Sequence, residues 1–164
     1  MVTMEVEMSS ATRLKDPLIC NGAALRKATR RITQLYDGVL APCGLTVSQR
    51  SVLVHIARAE SATVSELAHA MVLDRSSLGR NLEPLTREGY VAVRSDTIDR
   101  RSRRVELTDS GRSKLAESNR LWRKAQDRFE SVYGAERAAA LRLALAEIFS
   151  DEFAEAFKRP TGSC

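Results

Sequence analysis

Hydrophobic positions recur at three- and four-residue steps through most of the chain, a pattern that predicts amphipathic helices. Asp16 and Pro17 form a helix-start signal, and Pro42 and Gly44 form a stop signal. The apolar stripe between these signals consists of Leu25, Ala28, Ile32, Leu35 and Val39. We therefore predict one long helix in this first segment.

Two short helices are predicted next, because "TVSQ" at Thr46 and "TVSE" at Thr63 both fit the capping box. A third helix is predicted from Asp74 to about Glu88, with Gly89 as its stop. Its apolar side consists of Leu78, Leu82 and Leu85. Pro84 lies inside this helix, and we expect a local loosening there because proline has no N–H to donate.

Alternating apolar and polar positions in "YVAVRS" and "RRVELT" predict two strands of a hairpin with a polar tip between them. Thr108 and Asp109 favour the start of a long helix, and a last helix is predicted from about 135 to 157. Two short helices, a third helix and a hairpin in this order predict a winged helix-turn-helix. The expected fold is mainly α with a small β-hairpin wing.

The long first and last helices carry more apolar positions than one winged domain can cover, which favours a homodimer. The N- and C-terminal helices would then form a helical dimerisation region. The predicted organisation is a flexible tail at 1–16, a dimerisation helix at 17–45, a winged DNA-binding domain at 46–108, dimerisation helices at 109–158 and a frayed end at 159–164.

In a helix-turn-helix, the second of the two paired helices enters the major groove of DNA with its N-terminal side chains. In this chain, that is the helix predicted from Asp74 to about Glu88. Arginine can bond guanine, asparagine can bond adenine, and serine is short enough to reach a phosphate or a base. The polar side of this helix opposes the leucines, a segregation that a merely solvated face does not require. The candidate DNA-binding residues on it are Arg75, Ser76, Ser77, Arg80 and Asn81.

The hairpin tip carries four arginines within five positions, in "RRSRR". A tip beside a recognition helix points toward the minor groove, where guanidinium groups are favoured. Arg100, Arg101 and Arg103 are therefore further candidate DNA-binding residues. Asp99 is predicted to shape the tip by pairing with a neighbouring arginine.

Composition narrows the class of protein. The 164 residues carry a formal net charge of +5, which favours a polyanionic partner. Three scattered cysteines and two histidines lack metal-ligand spacing, so no metal and no cofactor are expected. Neither a phosphate-binding glycine loop nor a nucleophile, base and orienter set is present, so an enzyme is not expected. The sequence has no export signal or membrane span, which predicts a cytoplasmic protein.

Three segments resemble the MarR family of transcriptional regulators: "GLTVSQRSVLVHIA", "TVSELAHAMVLDRSSLGRNLEPLTREGYVAVR" and "DRRSRRVELTDSGR". The resemblance extends over roughly residues 18 to 157. It implies a homodimer on a pseudo-palindromic operator in double-stranded DNA, acting as a repressor. It also implies that a small ligand weakens DNA binding.

The resemblance places the family's usual effector pocket beside the helices that carry Tyr36 and Trp122. These two residues and His55 are the pocket candidates, and the expected effector is a small aromatic or phenolic molecule. Core packing is the competing interpretation of all three side chains.

A more distant similarity is to the organic-peroxide-sensing OhrR branch, whose reactive cysteine lies early in the first helix. When Thr33 and Tyr36 are matched to that branch, its sensing position falls on Gly22. Cys20 lies two residues away and is the redox candidate, and a plain buried thiol is the competing interpretation.

Two alternatives to a ligand-controlled regulator therefore stay open. One is a thiol-based oxidant sensor that uses Cys20. The other is a winged-helix module that binds an acidic protein, for which no duplex would be preferred over scrambled DNA.

Overall fold

A computed structural model of the chain describes residues 19–95 and 102–159. The predictions for Asp99, Arg100, Arg101 and both chain ends concern residues outside these ranges. The described helices are α1 (Asn21–Leu40), α2 (Val47–Ala59), α3 (Val64–Ala70), α4 (Arg75–Arg87), α5 (Asp109–Tyr133), α6 (Ala135–Ile148) and α7 (Asp151–Lys158). The strands are β1 (Ala62–Thr63), β2 (Val91–Ser95) and β3 (Arg103–Leu107).

Both predicted capping boxes are formed. The Thr46 hydroxyl accepts from the Gln49 amide at 3.1 Å, and the Gln49 side chain accepts from the Thr46 amide at 2.9 Å. Thr63 and Glu66 repeat this arrangement at the start of α3. Each box satisfies amides that the first turn of a helix leaves unbonded, which fixes where α2 and α3 begin.

The sheet is antiparallel, with the strand order β1-β3-β2. The predicted hairpin is β2 and β3, in which Val91 lies opposite Leu107 and Ser95 opposite Arg103. Ala62 of β1 pairs with Val105 on the other edge of β3. The two residues of β1 are too few to show any alternation, so the sequence did not predict this strand.

One hydrophobic core fills the winged lobe, between α2, α3, α4 and the sheet. The predicted leucine face of α4 is buried in it, and α4 continues through Pro84 to Arg87 without a break. Burial of a leucine side chain contributes about 1.5–3 kcal/mol, so this face holds α4 against the lobe and leaves its other side to solvent. The buried side chains of this core include Leu53, Ile56, Leu67, Leu78, Leu82, Leu85, Val91 and Val105.

The wing is joined firmly to α5 through Thr108, the N-cap of that helix. The Thr108 hydroxyl accepts from the Gly111 amide at 3.0 Å and donates to the Gly89 carbonyl at 2.6 Å. The Thr108 amide also donates to the Tyr90 carbonyl at 3.1 Å. The "LTDSG" stretch thus ties the end of the sheet and the end of α4 to the first turn of α5.

One predicted helix start lies outside the described residues, and one predicted helix is divided in two. The predicted start at Asp16 and Pro17 lies outside the described residues, and α1 begins at Asn21 after Cys20, whose backbone is extended. The single last helix predicted from 135 to 157 is wrong: it is interrupted after Ile148. There the Ser150 hydroxyl accepts from the Phe153 amide and starts α7 as a new helix.

Candidate nucleic-acid interface

Helices α3 and α4 form the helix-turn-helix, and their connection is tight. Helix α3 ends at Ala70, and Val72 adopts a left-handed backbone with φ of 52°. Asp74 then caps α4 by accepting from the Ser77 amide at 2.8 Å. The predicted pair of helices is confirmed, but the strained Val72 in its turn was not foreseen, because a β-branched residue rarely adopts this conformation.

The N-terminus of α4 carries a hydrogen-bonded cluster of polar side chains. Ser76 donates to one oxygen of Asp74 at 2.5 Å, and Ser77 donates to the other at 2.7 Å. These bonds hold the pKa of the Asp74 carboxyl well below its usual range, so it is ionised at neutral pH. Ser77 in turn accepts from the Arg80 guanidinium at 2.8 Å. The cluster therefore fixes Arg80 before any partner is bound.

The candidate DNA-binding residues of α4 lie outside its buried leucine face. Arg75, Ser76 and Arg80 are exposed, while Ser77 and Asn81 are half-buried. The Asn81 side-chain amide donates to the Ser77 carbonyl at 2.9 Å. This bond uses one of the two amide hydrogens, so the other hydrogen and the amide oxygen of Asn81 stay available for a base.

The described part of the wing adds further positive charge. Arg103 begins β3 and is exposed, and Arg94 of β2 is exposed as well. Arg94 lies directly opposite Arg104 in the β2–β3 ladder. Arg94 was not among the predicted DNA-binding residues, although its place in the alternating pattern of "YVAVRS" was the available signal.

The three pocket candidates do not line one shared cavity. Tyr36 lines a cleft of about 430 Å³ between α1 and α5, and His55 lines a different one of about 410 Å³ beside β1. Burial raises the pKa of the Tyr36 hydroxyl, which donates to the Gln126 side chain at 3.1 Å. His55 bonds to the Ser51 carbonyl through Nδ1 at 2.8 Å. Trp122 packs on the lobe core.

Arg50 is a buried cation that the sequence analysis missed. The residue is only 9% exposed, and its guanidinium carbon lies 4.6 Å from the centre of the Trp122 ring. One terminal nitrogen donates to the Asn119 side chain at 2.7 Å, while the buried Nε has no hydrogen-bond partner. Burial lowers the pKa of this guanidinium. Arg50 directly follows the Thr46–Gln49 capping box, and this local motif does not indicate that the arginine side chain is buried.

The cysteines differ in access. Cys20 is exposed at the N-cap of α1, whereas Cys43 is 4% exposed and its thiol donates to the Leu40 carbonyl.

Within 19–95 and 102–159, no group of three or more His, Cys, Asp and Glu side chains is placed to hold a metal ion. No helix in these same ranges is long and apolar enough to cross a membrane.

The C-terminal helices leave large apolar side chains uncovered. Apolar surface of this kind on a monomer marks an interaction site. The exposed set on α6, the following turn and α7 is Leu143, Ile148, Phe149, Phe153 and Phe157.

A helix pair with a basic outer face, followed by an antiparallel wing, defines a winged helix-turn-helix protein. The sequence model of the MarR family matches residues 44–102. The Mycobacterium tuberculosis transcriptional regulator MOSR, solved in complex with DNA, is 36% identical, with a TM-score of 0.74 over 85% of this chain and 99% of that one. The chain belongs to the MarR family, as its motifs predicted.

The names of two further relatives describe opposite effects on transcription, repression and activation. The transcriptional repressor CouR, solved on a 23-mer DNA duplex, is 30% identical, with a TM-score of 0.73 over 80% of this chain and 93% of that one. The transcriptional activatory protein BadR of Rhodopseudomonas palustris is 36% identical over 95 residues, which is 56% of this chain. The match covers 50% of the length of that curated relative. The family and fold are those of transcriptional regulators, which are not enzymes.

Proposed function

We propose that the chain is a dimeric, sequence-specific DNA-binding regulator of transcription. The observation that carries this proposal is the two-sided recognition helix α4, with its leucines in the lobe core and Arg75, Ser76 and Arg80 facing solvent. Two relatives of similar fold, MOSR and CouR, were solved with DNA. This role suits the cytoplasm, where the chromosome is accessible, and needs no catalytic group.

Dimerisation would use the segments 17–45 and 109–158, which flank the winged lobe at 46–108. Helix α1 packs on α5, and Arg142 of α6 forms an ion pair with Glu130 of α5 at 3.0 Å. These contacts leave the phenylalanines of α7 exposed. The same apolar surface on a second copy of the chain would cover them. Two lobes related by a twofold axis would read half-sites about 34 Å apart on a pseudo-palindromic operator.

For the sign of regulation, we infer repression where the operator overlaps the promoter. A dimer on the promoter excludes polymerase, whereas one placed upstream can recruit it. The names of CouR and BadR show that both signs occur among relatives.

For the effector, we propose the cleft between α1 and α5 as the pocket. Its volume of about 430 Å³ lies in the usual range for small ligands, and its wall combines Tyr36 and Phe129 with the charged Arg128. An aromatic or phenolic molecule would stack on these rings and exchange hydrogen bonds with the Tyr36 hydroxyl. Binding there would shift α1 against α5 and change the separation of the lobes.

Oxidant sensing through Cys20 is the second candidate for control, because this thiol is exposed and within reach of peroxide. If it holds, peroxide abolishes DNA binding by the parent chain but not by Cys20→Ser. If both chains respond alike, Cys20 is not the sensor.

The direct test of the proposed function is duplex binding by an Arg80→Ala, Arg103→Ala double variant. Each arginine that neutralises a phosphate releases counterions, so the double variant should bind more weakly and with a shallower salt dependence. Lys124→Ala, an exposed change on α5, is the matched control and should bind as the parent does. Unchanged affinity in the double variant, with no preference over scrambled duplex, would instead favour the protein-interaction module.

A further inference from the structure

Arg50 links the winged lobe to the dimerisation region across the α2–α5 interface. It starts from the first turn of α2, and its partners Asn119 and Trp122 lie three residues apart on α5. Residues at this spacing share one face of a helix. One guanidinium therefore engages a single patch of α5 through a hydrogen bond and a ring contact.

Stability alone does not account for this buried charge. In the described part of the chain, the guanidinium has no carboxylate partner, and its Nε bonds to nothing. A buried charge with incomplete partners is costly, and an apolar side chain of similar length at such a position is often neutral or stabilising. What Arg50 provides in return must be something that an apolar residue cannot provide.

Direction is the property that distinguishes Arg50 from an apolar residue. The guanidinium is planar and its N–H groups point along fixed lines, so the bond to Asn119 at 2.7 Å and the position over the Trp122 ring favour one relative orientation of α2 and α5. Hydrophobic contacts have no preferred direction, so they specify such an orientation less sharply. In the described residues, the other hydrogen bonds between the lobe and this region, at Thr108 and Ser110, lie at the start of α5, whereas apolar contacts with the lobe core continue as far as Leu121.

We propose that Arg50 is a positioning residue that sets the angle between the winged lobe and α5, and thereby the half-site spacing that the dimer accepts. The inference rests on the proposed function, because spacing has a meaning only for a dimer that reads two half-sites. It assigns Arg50 no contact with DNA.

The test uses duplexes that carry two copies of the half-site that the parent chain prefers. The centres of the two copies are moved apart in steps of one base pair. Each step changes both the separation and the rotation of the second half-site. The parent chain should show one sharp optimum and lose about tenfold in affinity one base pair away, since the second lobe then engages poorly. Arg50→Met and Arg50→Lys should both flatten this profile, while affinity for a single half-site stays unchanged.

Arg58→Met is the matched control, because Arg58 is an exposed arginine on the same helix. It should keep the sharp optimum. Thermal unfolding and dimer content are measured for each variant, and Asn119→Leu, which removes the same bond from the α5 side, carries the test if Arg50→Met does not form dimers. A flattened profile in the folded variants supports the proposal.

A profile as sharp as the parent's in a folded Arg50→Met or Asn119→Leu dimer would overturn the proposal and leave the proposed function intact. A parent chain with no spacing optimum would also overturn it. A parent chain that selects no duplex at all would instead show that the proposed function itself is wrong.

Discussion

Gly111 lies so close to Tyr90 that a Cβ atom built on Gly111 would stand 2.0 Å from the Tyr90 carbonyl oxygen. This contact packs the first turn of α5 against the start of β2. It explains why the "LTDSG" stretch ends in glycine: the helix and the wing meet through backbone, with no room for a side chain.

Gly111→Ala should therefore destabilise the fold by at least about 2 kcal/mol, because the obstructing atom is backbone and cannot swing aside. Urea denaturation measures the change. Gly79→Ala is the control, since a Cβ there meets nothing within 4 Å and alanine is the better helix former. Equal stability of Gly111→Ala and the parent would contradict the contact.

At Val72, in contrast, glycine should make the chain more stable than the residue that is present. Its φ of 52° is unfavourable for a β-branched residue, and its side chain is 69% exposed, so little packing is lost on its removal. Val72→Gly should stabilise the chain by about 1 kcal/mol, whereas Val72→Ala should gain much less because alanine keeps the Cβ penalty. Thermal unfolding of the three chains decides this, and a loss of stability in Val72→Gly would show that the turn is not strained.

Asp74 should influence which base α4 prefers. A serine hydroxyl has one hydrogen, and both Ser76 and Ser77 give theirs to Asp74, so the exposed Ser76 oxygen can only accept. Adenine and cytosine carry the amino groups that can donate to it in the major groove. We expect Asp74→Ala, which frees these hydrogens, to relax base preference at one position of each half-site.

Selection of bound duplexes from a random pool measures this change. Asp109→Asn removes a comparable exposed charge from the first turn of α5 and should leave the preference as it is. Identical selected sequences from Asp74→Ala and the parent would refute a role for the cluster in base choice.

Acid should weaken the fold through the same carboxyl. Hydrogen bonds hold the pKa of folded Asp74 below its ordinary value of about 4, so ionised Asp74 stabilises the folded chain at neutral pH. As the pH falls below about 4, the unfolded chain takes up this proton first, and the contribution is lost. The thermal midpoint should therefore fall more steeply between about pH 5 and pH 3 in the parent than in Asp74→Asn. Equal slopes of the thermal midpoint against pH in the two chains would contradict the lowered pKa of Asp74.

The sequence predicted the features that depend on neighbouring residues. The Thr46 and Thr63 capping boxes, the leucine face of α4 and the β2–β3 hairpin each follow from patterns a few residues long. The break at Ser150 was missed although its signal was local, a serine followed by Asp151 and Glu152. The continuous apolar pattern across it favoured one helix.

Features that depend on distant residues were not predictable in this way. The burial of Arg50 requires Asn119 and Trp122, about seventy positions further along the chain. The strand at Ala62 exists only because β3 lies beside it. The separation of Tyr36 from His55 likewise follows from the packing of α1 and α2 on different parts of α5 and the lobe.

The central claim, a dimer whose two lobes read one duplex, is tested most directly by the stoichiometry of the complex. Sedimentation of the chain with a selected duplex, at rising salt, gives the number of chains bound and the salt dependence together. We predict two chains per duplex, with affinity that falls steeply as salt rises. One chain per duplex, or equal binding to a scrambled duplex, would contradict the account.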